Sequence, residues 1–125
     1  MDITKDYLIA APVREVWLAL TDPEVIEQWG GGPVEMSAQA GAPFSLWGGE
    51  IYGANLTVEP SSRLVQEWFG GDWEEPSIAE FVLAEEGGQT HLTLLHTRVP
   101  DDVAADFDAA WDDYFLGPMK ALLER

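Results

Sequence analysis

No cysteine occurs among the 125 residues, which excludes disulfides, thiolate zinc sites and thiol nucleophiles at once. Cations are scarce: Lys and Arg total 6 against 23 Asp and Glu, for a formal net charge of -17. Nucleic-acid binding rests chiefly on cationic contacts to phosphate, and an anionic membrane surface repels such a chain, so neither is expected as a partner. No apolar run approaches the roughly 18 residues of a spanning helix. The opening Met1–Asp6 lacks the basic start and apolar stretch of a signal peptide, so a cytoplasmic location is expected. The phosphate-loop patterns G-x-G-x-x-G and G-K-[ST] and the nucleophile pattern G-x-S-x-G are all missing. No cofactor is expected.

Aromatic residues are what the chain has in quantity. Six Trp, five Phe and three Tyr in a sequence that is 46% hydrophobic separate it from disordered acidic chains, which cannot bury enough apolar area to offset chain entropy. Its length suits one domain over residues 1–125.

Tyr7–Ala11 reads as an opening strand ended by Pro12, after which Val13, Val16, Trp17 and Leu20 fall on one helical face. A second short helix is announced by Thr21-Asp22-Pro23-Glu24, either as a Thr21–Glu24 capping box or as Asp22 followed by proline, and Gly30-Gly31-Gly32 stops it. From Pro33 the pattern turns extended. Strands are expected at Val34–Ala38, Phe44–Trp47, Ile51–Glu59, Leu64–Phe69, Ser77–Ala84 and Thr90–Arg98, separated by Gly- and Pro-rich breaks as in a meander. A long final helix starts at Asp101 or Asp102 and carries Phe107, Trp111, Tyr114, Pro118 and Leu122 on its apolar side, bent where Pro118 cannot donate to the Tyr114 carbonyl. The expected class is α+β: a curved antiparallel sheet of about six or seven strands wrapped around the long C-terminal helix, with two short helices after the first strand. The concave side of such a sheet is a place for a pocket.

The segments Ala11-Pro12-Val13-Arg14-Glu15-Val16-Trp17, Thr21-Asp22-Pro23, Phe44–Gly53, Leu64–Trp68, Thr90-x-Leu92-x-Leu94-x-His96, Val99-Pro100 and Trp111-x-x-Tyr114-Phe115-x-x-Pro118-Met119-Lys120, in this order, resemble the helix-grip domain of the Bet v 1/START-like (SRPBCC) superfamily. Within it they are similar to the activator of Hsp90 ATPase homologue 1-like family. Ala110 stands where that family often has glycine, and 125 residues leave no room for the N-terminal Hsp90-binding domain of the two-domain co-chaperone. The resemblance implies a helix-grip fold. It leaves three functions open: a non-catalytic domain binding a hydrophobic or aromatic small molecule, a module associated with an Hsp90-type chaperone, or a cyclase-like or hydrolytic enzyme.

His91 and His96, the two histidines, lie five apart in one strand and therefore on opposite faces, so they cannot share a metal. His96 shares the inner face with Leu92 and Leu94, as a hydrogen-bonded interior histidine or, in the enzymatic alternative, as an acid–base group working with Tyr52 or Tyr114. The six aspartates from Asp101 to Asp113 read as a solvated helix face and not as a cation site. The candidate ligand cavity has its walls in Trp68, Phe81, Leu92, Leu94 and His96 of the sheet and in Trp111, Tyr114 and Pro118 of the helix. Ligand identity and oligomeric state stay open.

Overall fold

Alternation along β1 (Ile3–Ile9) buries Ile3 and Ile9 and half-buries Lys5 and Tyr7 on one face, while Thr4, Asp6 and Leu8 point away. This is one of the two edge strands of the sheet in the computed structural model, which describes residues 1–125. Pro12 precedes α1 (Val13–Thr21), whose apolar stripe buries Val16, Trp17 and Leu20. The start of α2 (Pro23–Trp29) resolves the two capping options. Asp22 is the cap, its carboxylate accepting the Glu24 N–H at 2.9 Å, whereas the Thr21 hydroxyl turns back to donate to the Trp17 carbonyl. Gly30 closes α2 at φ 105°, a left-handed geometry that suits glycine.

Five strands follow as an antiparallel meander: β2 (Pro43–Leu46), β3 (Ile51–Glu59), β4 (Arg63–Gly70), β5 (Ser77–Glu86) and β6 (Gln89–Thr97). With β1 added beside β6, the sheet has six strands in the order β1-β6-β5-β4-β3-β2. The strand expected at Val34–Ala38 does not form. That segment meets β2 through a single Glu35–Ser45 bridge, and the buried Asn55 amide donates to the Ser37 and Gln39 carbonyls at 2.9 and 3.1 Å. The Ser37 and Gln39 carbonyls thus take a side-chain donor where a neighbouring strand would otherwise serve. A register shift between Asn55 and Thr57 in β3 adds curvature at this edge.

The inner face of the sheet carries Phe44, Leu64, Trp68, Phe81, Leu92, Leu94 and His96, all buried, and the C-terminal helical segment covers it. That segment runs through a 3-10 turn (Asp101–Val103), α3 (Ala104–Ala110), a π-helical turn (Trp111–Leu116) and α4 (Gly117–Leu123). The irregularity follows from the sequence. Pro118 has no N–H, and the turn before it widens so that the Gly117 N–H bonds the Asp112 carbonyl five residues back. A Cβ on Gly117 would overlap that carbonyl oxygen, so glycine is required. The extra residue also rotates the helix: Trp111, Phe115, Leu116 and Met119 face inward, and Tyr114 is 65% exposed.

Two of the six aspartates hold the helix to the sheet. The Lys5 ammonium reaches Asp112 at 2.8 Å and Asp108 at 3.0 Å, and the Tyr7 hydroxyl donates to Asp112. Burial works to lower the Lys5 pKa, but the two aspartates outweigh it and hold it above its usual value. Hydrogen bonds from Lys5 and then Tyr7 pull the Asp112 carboxyl below its usual value. No helix is long and apolar enough to cross a membrane.

Candidate ligand-binding site

The space between sheet and helix is filled at its centre and open at one end. Phe81, Leu92 and Leu94 pack against the helix with exposures of 1% or less, and the Phe81 ring lies 5.7 Å from both Trp111 and Phe115. Toward the β4–β5 loop the packing stops, and a cavity of about 750 Å³ opens, within the size range of small-molecule sites. Its floor is the Trp68–Trp111 pair, stacked at 4.8 Å, with Phe115 beside it at 4.8 Å from Trp111. One side is Trp73 against Phe107, 5.3 Å apart, and the other is Trp47. Trp47 has φ 50°, a left-handed backbone uncommon outside glycine and often found at functional sites.

Two buried polar chains fix the floor. In the first, the Trp68 indole N–H donates to the Gln66 side-chain oxygen at 2.9 Å, and the Gln66 amide donates to Asn55 at 3.0 Å. In the second, the Trp111 indole N–H donates to Nδ1 of His96 at 3.0 Å, and Nε2 of His96 lies 2.7 Å from the Ser77 hydroxyl. Indole can only donate, so Nδ1 is an acceptor and the proton of the neutral ring sits on Nε2, donating to Ser77. Ser77 in turn donates to the Trp68 carbonyl at 3.2 Å. This polarity is the reverse of what a serine nucleophile needs, since the base would have to accept from the hydroxyl. Burial pushes the His96 pKa down to about 4, with the N-terminal ammonium adding to the effect. No buried side-chain polar atom lacks a partner, and no three His, Asp or Glu side chains converge in a way that could hold a metal ion.

Of the eight residues expected to wall the cavity, Trp68, Trp111 and Tyr114 line the open space. Phe81, Leu92 and Leu94 lie in the packed core behind it, and His96 is fully buried. Pro118, half-buried, is off the lining. The pairing of His96 with Tyr52 or Tyr114 gives way to Ser77 and Trp111 as its partners; Tyr52 is 41% exposed and stacked on Phe69.

The family described as Activator of Hsp90 ATPase homolog 1-like protein matches residues 10–124 of this chain. The chain belongs to that family. Activator of 90 kDa heat shock protein ATPase homolog 2 of Mus musculus is 24% identical over 119 residues, 94% of this chain and 36% of that protein. The chain spans little more than a third of the length of the curated relatives it matches first. Among solved structures, an HSP90 activator from Plasmodium falciparum superposes with a TM-score of 0.90 at 22% identity, covering 98% of this chain and 96% of that one. CalU16 from Micromonospora echinospora gives 0.84 at 30% identity over 97% of this chain and 73% of its own. The six-stranded antiparallel sheet closed by a C-terminal helix is thus the fold of its neighbours.

In this activator-of-Hsp90-ATPase-homolog-1-like chain, Trp47, Trp73, Phe107 and Phe115 also line the space and are not among the wall residues expected from the sequence. Trp73 had a signal: it follows Gly70-Gly71-Asp72, and a large aromatic carried on a turn between two strands is poorly placed to be core.

Proposed function

We propose that this chain is a non-catalytic binding domain that takes a small apolar, aromatic molecule into the cavity between the β4–β5 loop and the first turns of the C-terminal helical segment. One observation supports the reading most: the packed core stops short of a space about 750 Å³ in size with seven aromatic side chains among its sixteen lining residues. Aromatic side chains around an open space favour flat, apolar guests. His96 is committed to Ser77 and Trp111 and offers no free nitrogen, which speaks against the acid–base alternative. Titration with N-phenyl-1-naphthylamine is expected to raise probe emission and quench tryptophan, with a dissociation constant between about 1 and 100 µM. Trp73→Ala, on the half-buried side wall, weakens binding about tenfold, equivalent to about 1.4 kcal/mol. Unchanged emission at saturating probe, or wild-type affinity in Trp73→Ala, removes this reading.

A second reading rests on the relatives, among them activators of the 90 kDa heat shock protein ATPase: surface contact with an Hsp90-type chaperone. It expects the ATPase rate of the host's own Hsp90 homologue to rise when the protein is added, and a flat rate ends it.

A further inference from the structure

We infer that the cavity selects an aromatic organic cation, a flat ring system with a fixed or protonated nitrogen charge, over its neutral and anionic counterparts. This rests on the reading of the cavity as a binding site and specifies the chemistry of its guest.

The lining contains three carboxylates, Glu50, Asp72 and Asp102, and no Lys, Arg or His. They come from three separate segments: the turn before β3, the β4–β5 loop and the 3-10 turn that opens the C-terminal helical segment. None of them takes part in any of the eight ion pairs, all of which involve other carboxylates, so their charge is not neutralised by a cation of the protein. Nearby Arg98 lines an adjoining depression, where Glu74 and Glu75 accompany it.

The aromatic walls point the same way. The indole N–H groups of Trp47, Trp68 and Trp111 are all spent on protein acceptors, Gly30, Gln66 and His96. The side-chain donors left on the lining are the Tyr114 hydroxyl and the Trp73 indole, too few to hold an anion against three carboxylates. What the walls offer instead is aromatic rings, Trp47, Trp73 and Phe107 partly exposed and Tyr114 largely so; the negative quadrupole of such a ring attracts a cation, tryptophan most strongly. The exposed carboxylates of the lining and its partly exposed indoles, Trp47 and Trp73, act in one direction. A neutral ring gains only the stacking, and an anion is opposed by both.

The test compares thioflavin T, whose benzothiazolium carries a fixed charge, with its uncharged benzothiazole analogue lacking the N-methyl group, each titrated by tryptophan quenching at low salt. The wild-type protein is expected to bind the cation at least tenfold more tightly. In Glu50→Gln/Asp72→Asn/Asp102→Asn the ratio falls below threefold. A control of equal charge change on the outer surface, Glu15→Gln/Glu24→Gln/Glu85→Gln, keeps it at tenfold or more. Equal binding of the two dyes by wild type overturns the inference and leaves the cavity reading standing. A ratio that survives in the lining variant, or drops equally in the control, overturns it too, by assigning the preference to the overall charge of -17. If neither dye binds, the cavity reading fails and this inference with it.

Discussion

Replacing Trp111 by alanine is expected to be the most damaging single change in the protein, while Tyr114→Ala, three residues on, is expected to be nearly silent. Trp111 is 2% exposed, stacks on Trp68 at 4.8 Å and meets Phe81, His96 and Phe115 within 6 Å. Truncating a buried tryptophan costs about 3–5 kcal/mol in lost contacts and cavity. The Nδ1 of His96 is also left without its donor, adding about 1–3 kcal/mol. Together these approach the whole of a typical domain's stability of about 5–15 kcal/mol. Tyr114, at 65% exposure, has little to lose, and its change stays within about 0.5 kcal/mol. Trp111→Phe separates the two costs: it keeps a ring in the stack but loses the N–H, and about 1–3 kcal/mol is expected. Urea denaturation of the three variants measures all of this. A larger loss for Tyr114→Ala than for Trp111→Ala would mean that the helix presents its other face.

The contrast between these neighbours shows where sequence periodicity reaches its limit. An ideal helical repeat that starts from Phe107 and Trp111 places Tyr114 and Pro118 inward, and the first two are indeed partly or fully buried. The π turn then inserts a residue into the phase, so Phe115 and Met119 take the inward positions. The cause was visible in Gly117-Pro118, a residue without a Cβ followed by one without an N–H. What that pair does not specify is whether the helix bends or widens, since this depends on what packs against it. Strands behaved differently. The period of two needs only one correct inner residue to place the rest, and Leu92, Leu94 and His96 on one side with His91 on the other followed directly. The failure at Val34–Ala38 involves a residue outside the segment: the Asn55 side chain in β3 bonds the Ser37 and Gln39 carbonyls, and only Glu35 keeps a ladder-type pairing, with Ser45.

The site was legible in part for a related reason. Trp68 and Trp111 could be assigned to the junction of sheet and helix from strand and helix phase alone. Whether the space between them is filled depends on side-chain volumes summed across four strands and a helix, and no local pattern carries that sum. The core is complete over Phe81 and Leu92 and incomplete beyond Trp68, where β4 ends at Gly70 and the chain turns through Gly71 and Asp72 to Trp73. Small residues at the strand end leave the space, and the tryptophan carried by the loop covers only one side of it. The same boundary separates residues that hold the fold from residues available to a guest.

Acidification is expected to destabilise the protein in a window set by His96. A histidine in the unfolded chain titrates near 6.5, whereas in the fold this ring, with no exposed surface, is pushed down to about 4. Above pH 6.5 both states carry the neutral ring and nothing is lost. Below it the unfolded chain binds a proton that the folded chain refuses, so stability falls by up to about 1.4 kcal/mol per pH unit, to a total of about 3 kcal/mol near pH 4. The cause is structural: Nδ1 already accepts from Trp111, and a proton placed there would set two donors against each other. Between pH 7 and 4.5 the wild-type unfolding free energy is expected to drop by about 2–3 kcal/mol. His96→Gln abolishes the titration while its amide can still accept from Trp111 and donate to Ser77, so most of that drop should disappear. His91 is present in both proteins and cancels in the difference. The carboxylates held below their usual pKa, Asp112 by Lys5 and Glu124 by Lys120, begin to lose their contribution only as the pH falls toward their ordinary values of 3.8 and 4.5, and both are present in the two proteins. Equal acid sensitivity in the two proteins would remove His96 as the cause. So would an imidazolium signal from its ring in the folded state near pH 6, because a group that charges there without unfolding the chain is neither buried nor committed to Trp111.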